Sequence, residues 1–133
     1  KLWSRTRSDR RSAALAQARS DSLTAREPGT LSANLRALWV AEILARAGLA
    51  DSADHIAQRV LADAPVAWRA ILLPEAAYLR ILLRTTDSAV ALVVAAVRQD
   101  PKIRRHLRSA PWFLPLRSDP RFAAAVRDPP ISP

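Results

Sequence analysis

The sequence predicts an all-α protein, built as stacked antiparallel helical hairpins with a capping helix at the C-terminal end. Three observations predict it. Ala, Leu and Arg dominate the 133 residues, and only two glycines, Gly29 and Gly48, interrupt them, so helix propensity outweighs strand propensity throughout. The tripeptide Asp-Ser-Ala occurs at Asp51 and again at Asp87, and each copy leads through an apolar-periodic stretch to a proline, Pro65 or Pro101. The two copies are offset by 36 residues, and a fixed offset of this size marks helix-pair repeats. A chain of this length also buries a substantial core, about two-thirds of its unfolded surface.

The elements follow in order. Residues 1–27 form a basic N-terminal helix or arm with a thin apolar stripe, and Asp9 can cap its helical part. Glu27-Pro28-Gly29-Thr30 breaks the chain. A helix is expected from Ser32 to Ala47, where Leu35, Leu38, Trp39, Glu42, Ile43 and Arg46 recur with the 3.6-residue period. Gly48 ends it by taking the left-handed conformation that side chains resist. Asp51 or Ser52 is expected to cap a helix with Ile56, Val60 and Leu61 facing inward, stopped by Pro65. Trp68 and Ile71 are expected to be buried, and Pro74 to open the next helix, over Glu75 to Arg84. Asp87 or Ser88 is expected to cap the following helix, whose residues 90–97 are all apolar. A short basic helix spans Lys102 to Arg108. Ala110 to Leu116 is too proline-rich for an α-helix and reads as an apolar loop. Asp119 before Pro120 opens a final helix carrying Phe122 and Val126, and residues 128–133 are expected to form a disordered or extended tail.

Composition narrows the chemistry. Without cysteine there is no disulfide, thiolate metal site or cysteine nucleophile. Two isolated glycines cannot build a phosphate loop. His55 and His106 lie on different elements and gather no serine–carboxylate constellation, nor do metal ligands cluster. No enzymatic activity, cofactor or metal is therefore expected. No run of about 18 apolar residues appears. The absence of methionine reads as a processed product or a fragment. The formal charge of +9 is uneven. Residues 1–26 carry seven basic and two acidic groups, and residues 101–133 carry the same numbers, whereas residues 27–66 are net acidic. Basic ends favour anionic partners.

Ala41, Gly48, Ala53 and Pro65 stand where the tetratricopeptide repeat places its small crossing residue, its turn glycine, its second-helix alanine and its closing proline. The chain resembles that family over about Leu31 to Arg127. Ala77, Ala89 and Pro101 match in the second copy, with Arg84 in the glycine position, and Leu44 and Ala57 fill positions the family gives to aromatics. The string Leu114-Pro115-Leu116-Arg117-Ser118-Asp119-Pro120-Arg121-Phe122 resembles the closing element of many bacterial tetratricopeptide-like domains. The resemblance implies a bacterial, cytoplasmic or periplasmic chain with a domain over 31–127. It implies an adaptor or an accessory subunit of a larger complex, at a membrane or away from one, or else the interaction domain of a signalling or transcription regulator.

In such a fold the first helix of each pair lines a groove, and Glu42, Arg46, Arg80 and Arg84 are the candidates there. An arginine-lined groove suits one or more proteins with an acidic or carboxylate-bearing face. Trp3, Arg5, Arg7, Arg10 and Arg11 are the candidates for an anionic partner or membrane surface, with Trp3 as an interfacial anchor if a transmembrane segment precedes it. Trp39, Trp68 and Trp112 read as core residues. Nucleic acid is the weaker alternative: Lys102, Arg104, Arg105 and Arg108 supply charge, as does the N-terminal arm, but neither cluster shows an aromatic stacking partner or a recognised reading motif.

Overall fold

A computed structural model describes residues 10–12, 15 and 30–129. Among these residues every regular element is helical and none is a strand. The chain divides between Trp68 and Arg69 into two compact units. The first unit contains α1 (Leu31–Arg46), α2 (Ala50–Asp63) and a 3₁₀ turn at Val66–Trp68. The second contains α3 (Arg69–Leu82), α4 (Thr86–Gln99), a 3₁₀ turn at Pro101–Ile103, α5 (Arg104–Ser109), a 3₁₀ helix at Pro111–Leu116 and α6 (Pro120–Ala125). Within the first unit α1 packs on α2, and within the second α3 packs on α4.

The two hairpins turn in the same way, 36 residues apart. At the end of α1, Gly48 N–H donates to Ala45 O at 3.1 Å and Leu49 N–H to Leu44 O at 2.9 Å. At the end of α3, Arg84 N–H donates to Ile81 O at 3.0 Å and Thr85 N–H to Arg80 O at 2.9 Å. Both are Schellman closures, which require a left-handed residue just past the helix. Gly48 has φ +81° and Arg84 has φ +60°. A Cβ at position 48 meets nothing within 4 Å, so the conformation alone selects glycine there. At Arg84 the same conformation is held against a side chain. Gly48→Ala is accordingly expected to lower stability by about 1 kcal/mol, and Arg84→Gly to raise it by up to about 1 kcal/mol. Denaturant midpoints of the two variants, moving in opposite directions, check this.

The turns also correct the expected caps. Each Schellman closure delivers the chain directly into the next helix, with Ala53 N–H donating to Leu49 O and Ala89 N–H to Thr85 O. Leu49 and Thr85 are therefore the N-cap residues, and neither uses a side chain. Asp51 and Asp87 lie inside the first turn, where a carboxylate favours the helix dipole without capping the backbone. By contrast, Thr30 does cap α1, its hydroxyl accepting from Ala33 N–H at 3.1 Å.

The buried side of the first hairpin combines alanines with larger aliphatics: Ala33, Ala37, Leu38, Ala41 and Leu44 on α1, and Ala53, Ile56, Ala57 and Val60 on α2. Trp39 and Ile43, expected on the apolar face, are 49% and 42% exposed. They sit one helical step off the alanine stripe, because a close helix–helix approach admits alanine and rejects indole. Ile71 is likewise exposed and Trp68 half-buried.

α3 starts at Arg69 and carries Pro74 in its interior, where a first-turn position was expected. An interior proline costs about 3 kcal/mol. Leu72, Leu73, Ala76, Ala77 and Leu79 form one buried stripe across it, and each buried leucine contributes about 1.5–3 kcal/mol. Burial on both sides of the proline therefore outweighs its penalty.

The core of the second unit continues beyond the hairpin. Ala77, Ala89, Val90, Val93 and Val97 join Leu107, Ala110, Phe113, Leu116, Phe122 and Val126 in one cluster. The segment expected as a loop, 110–116, is a 3₁₀ helix: its three-residue repeat places Phe113 and Leu116 inward, 1% exposed each, and leaves Trp112 and Leu114 outside. Pro111 takes the first position of the segment, where a missing N–H costs nothing, whereas Pro115 lies inside it.

Candidate functional site

The four groove candidates divide between the two hairpins. Glu42 and Arg46 both lie on α1, but Glu42 is buried at 8% exposure and Arg46 is exposed. Glu42 therefore does not offer its carboxylate to a partner on that surface, a correction that follows from its place between Leu38 and Leu44 in the buried sector of the helix. What α1 does expose is Trp39, Ile43 and Arg46, at spacings of four and three residues on one face. In the second hairpin Arg80 is half-buried and its carbonyl accepts from both Thr85 N–H and Thr85 Oγ1. Arg84 is exposed at the turn itself.

Of the basic-arm candidates, Trp3, Arg5 and Arg7 lie outside the described residues. Arg10 and Arg11 are helical and exposed, as is Leu15. His55 is exposed on α2. Among the described residues no group of three or more His, Cys, Asp and Glu could hold a metal ion, and no helix is long and apolar enough to cross a membrane.

The closing string has a definite job in the second unit. Asp119 caps α6, accepting from Arg121 N–H at 2.8 Å, and Pro120 takes the first helical position, where a missing N–H costs nothing. Phe122 turns inward and lies 6.3 Å from Phe113 between ring centroids, at 23° between planes. Arg121 bridges Asp119 and Asp87, each at 2.8 Å. The second Asp-Ser-Ala copy thus supplies an aspartate that meets the closing element. The Arg121 guanidinium holds the Asp119 carboxyl down at about 2, first by its side-chain hydrogen bonds and then through the Arg121 backbone N–H. Asp119 and Asp87 in turn push Arg121 further above its usual range. The Asp87 side chain is 89% exposed, so this pair orients the closing element more than it stabilises it.

The same unit exposes two features that the sequence reading missed. Trp112, read as a core residue, stands 48% exposed with its ring 6.3 Å from His106, tilted by 57°. It is an aromatic next to the basic segment that carries Arg104, Arg105 and Arg108. Its exposure follows from the 3₁₀ period, a signal hidden as long as the segment is taken for a loop. The second feature is an open cleft of about 740 Å³ beside α6, lined by Arg108, Arg117, Phe122, Ala123, Val126, Arg127 and Asp128.

Among the described residues the chain is an all-α protein with two helical hairpins that close in the same way, and it exposes basic and apolar surface. No protein-family model, curated protein or solved structure matches the chain.

Proposed function

We propose that the chain is a non-enzymatic protein–protein interaction module of the tetratricopeptide-like type, serving as an adaptor or accessory subunit of a larger assembly. The observation that carries this reading is the repetition of one hairpin closure at a 36-residue offset, Gly48–Leu49 and Arg84–Thr85, with a C-terminal element that buries Phe113, Leu116 and Phe122. Repeat arrays need such an end cap, and their use in proteins is to present surface to partners. The α1 face of Trp39, Ile43 and Arg46 has the residue types that dominate binding energy at interfaces. Acidic faces are the expected complement of Arg46, Arg80 and Arg84. The same domain attached to a signalling or transcription output region would work in the same way.

The test is affinity capture of the intact chain from its source under gentle conditions, repeated with W39A/I43A and with R80E/R84E. Loss of the captured partner in either variant, with an unchanged circular dichroism spectrum, is the expected result. Retention of the partner by both moves the site off the first helices of the hairpins.

Trp112 beside His106 gives the nucleic-acid reading its own observation, since exposed aromatics next to arginines are what single-stranded bases stack on. Binding of a labelled oligonucleotide that falls steeply with salt and is weakened by Trp112→Ala favours it; no binding at low salt dismisses it.

A further inference from the structure

Three guanidinium groups, those of Arg108, Arg117 and Arg127, line the cleft beside α6, and one carboxylate, Asp128, faces them. Two of the three are fixed in place. Arg108 Nη1 donates to Val126 O at 2.8 Å, and Arg117 Nη2 donates to Arg108 O at 3.0 Å. Backbone carbonyls orient these groups without neutralising them. Arg127 is exposed and makes no hydrogen bond or ion pair among the described residues. The cleft thus keeps an excess of positive charge in a preset arrangement, and a partner that uses it loses little further side-chain freedom.

What the cleft accepts is indicated by what it already holds. Asp128 Oδ1 lies 3.0 Å from Arg108 Nη1. The Asp128 carboxyl is lowered below its usual range, chiefly by that hydrogen bond to Arg108, with smaller contributions from the charges of Arg104 and Arg105. The Asp128 side chain is 72% exposed, so it lies on Arg108 from the solvent side, where a competing carboxylate can replace it. Phe122 and Val126, which also line the cleft, are 2% and 4% exposed. They therefore present no ring face on which a nucleobase could stack.

We propose that this cleft docks an acidic segment of a partner protein, whose carboxylates engage Arg117 and Arg127 and displace Asp128 from Arg108. Guanidinium forks pair with carboxylates in two-bond geometry, and Asp128 is then a built-in competitor that the partner must exceed. The inference rests on the reading of the chain as an interaction module and gives that module a site on its closing element.

The experiment is fluorescence anisotropy of the full chain with an end-capped, labelled peptide of glutamates around a central leucine, at low and at high salt. R117E/R127E is expected to weaken binding by about tenfold or more, the scale of charge-assisted pairs. D128N is expected to strengthen it by about threefold, by removing the competitor. R59E/R98E, which changes the net charge equally at exposed residues outside the cleft, is expected to have a much smaller effect. R127E alone serves where the double variant fails to fold. An equal loss in R59E/R98E, no gain in D128N, or preferential binding of a single-stranded oligonucleotide overturns the proposal. In the capture experiment, a partner that survives R117E/R127E overturns the cleft and leaves the module reading intact. No captured partner, with the peptide still bound through the arginines, overturns the module reading and leaves the cleft.

Discussion

Replacing Phe122 by alanine is expected to destabilise the second unit by about 3–5 kcal/mol, the range for deleting a fully buried aromatic. The phenylalanine is 2% exposed, stacks on Phe113 and lies in the cluster that includes Val93, Val97 and Leu107. Removal takes away transfer free energy and leaves a hole that the short α6 cannot fill without losing its Asp119 cap. Because whole-domain stabilities are about 5–15 kcal/mol, such a loss is a large fraction of the total. Urea unfolding followed by far-ultraviolet circular dichroism reads it. Trp112→Phe gives the contrasting case. That ring is about half exposed, and the substitution should change stability by less than about 0.5 kcal/mol. If Phe122→Ala cost no more than about 1 kcal/mol, the closing string would be an appendage of the fold and the end-cap argument would fail.

The segment Pro111–Leu116 shows what can be read from the letters. The string Pro-Trp-Phe-Leu-Pro-Leu holds four large apolar residues, and their summed hydropathy says only that some of them are buried. Which ones depends on a three-residue period, and prolines at both Pro111 and Pro115 conceal that period by suggesting a loop. The hairpins divide in the same manner. Gly48, Pro65 and Pro101 mark the breaks because each restricts the backbone regardless of tertiary context, and the Asp119-Pro120 cap is legible for the same reason. Trp39 and Ile43 are misread because a pattern weighted by hydropathy selects the largest side chains, whereas the closely packed hairpin selects Ala33, Ala37 and Ala41 one step away around the helix. Asp51 and Asp87 look like caps because aspartate before an apolar run usually is one. The Schellman closures start both helices earlier and leave Asp87 exposed in the first turn, where Arg121 reaches it.

The candidate site is less legible than the fold for a related reason. Glu42 and Arg46 are one turn apart on α1, and nothing in their spacing tells which is buried. The carboxylate is on the alanine side and the guanidinium is not. The cleft arginines are farther from sequence reasoning still. Arg108, Arg117 and Arg127 are separated by nine and ten residues and come from α5, from the end of the 3₁₀ helix and from the segment after α6. Only the folding of the closing element over α4 gathers them, so no local motif announces the group.

The small-residue stripe carries the other large expected effect. Ala41 and Ala53 in the first hairpin, and Ala77 and Ala89 in the second, are each 0% exposed, and each pair repeats at the 36-residue offset. Ala89→Leu adds three heavy atoms where α4 packs on α3, and overfilling a closed site costs about 1–3 kcal/mol. Ala53→Leu should cost a similar amount at the equivalent place. Ala91→Leu is the control: it lies two residues further along α4, is exposed, and should be neutral within about 0.5 kcal/mol. If the helices were held apart by their larger side chains, Ala89→Leu would be accommodated as easily as Ala91→Leu. Equal denaturation midpoints for the two would then remove the close-crossing geometry from the account. A large loss at Ala53 and Ala89 with none at Ala91 would instead show one packing rule acting twice in the chain. The repeat would then be a physical unit as well as a pattern of letters, with its small residues committed to the crossing and its arginines and tryptophans left for partners.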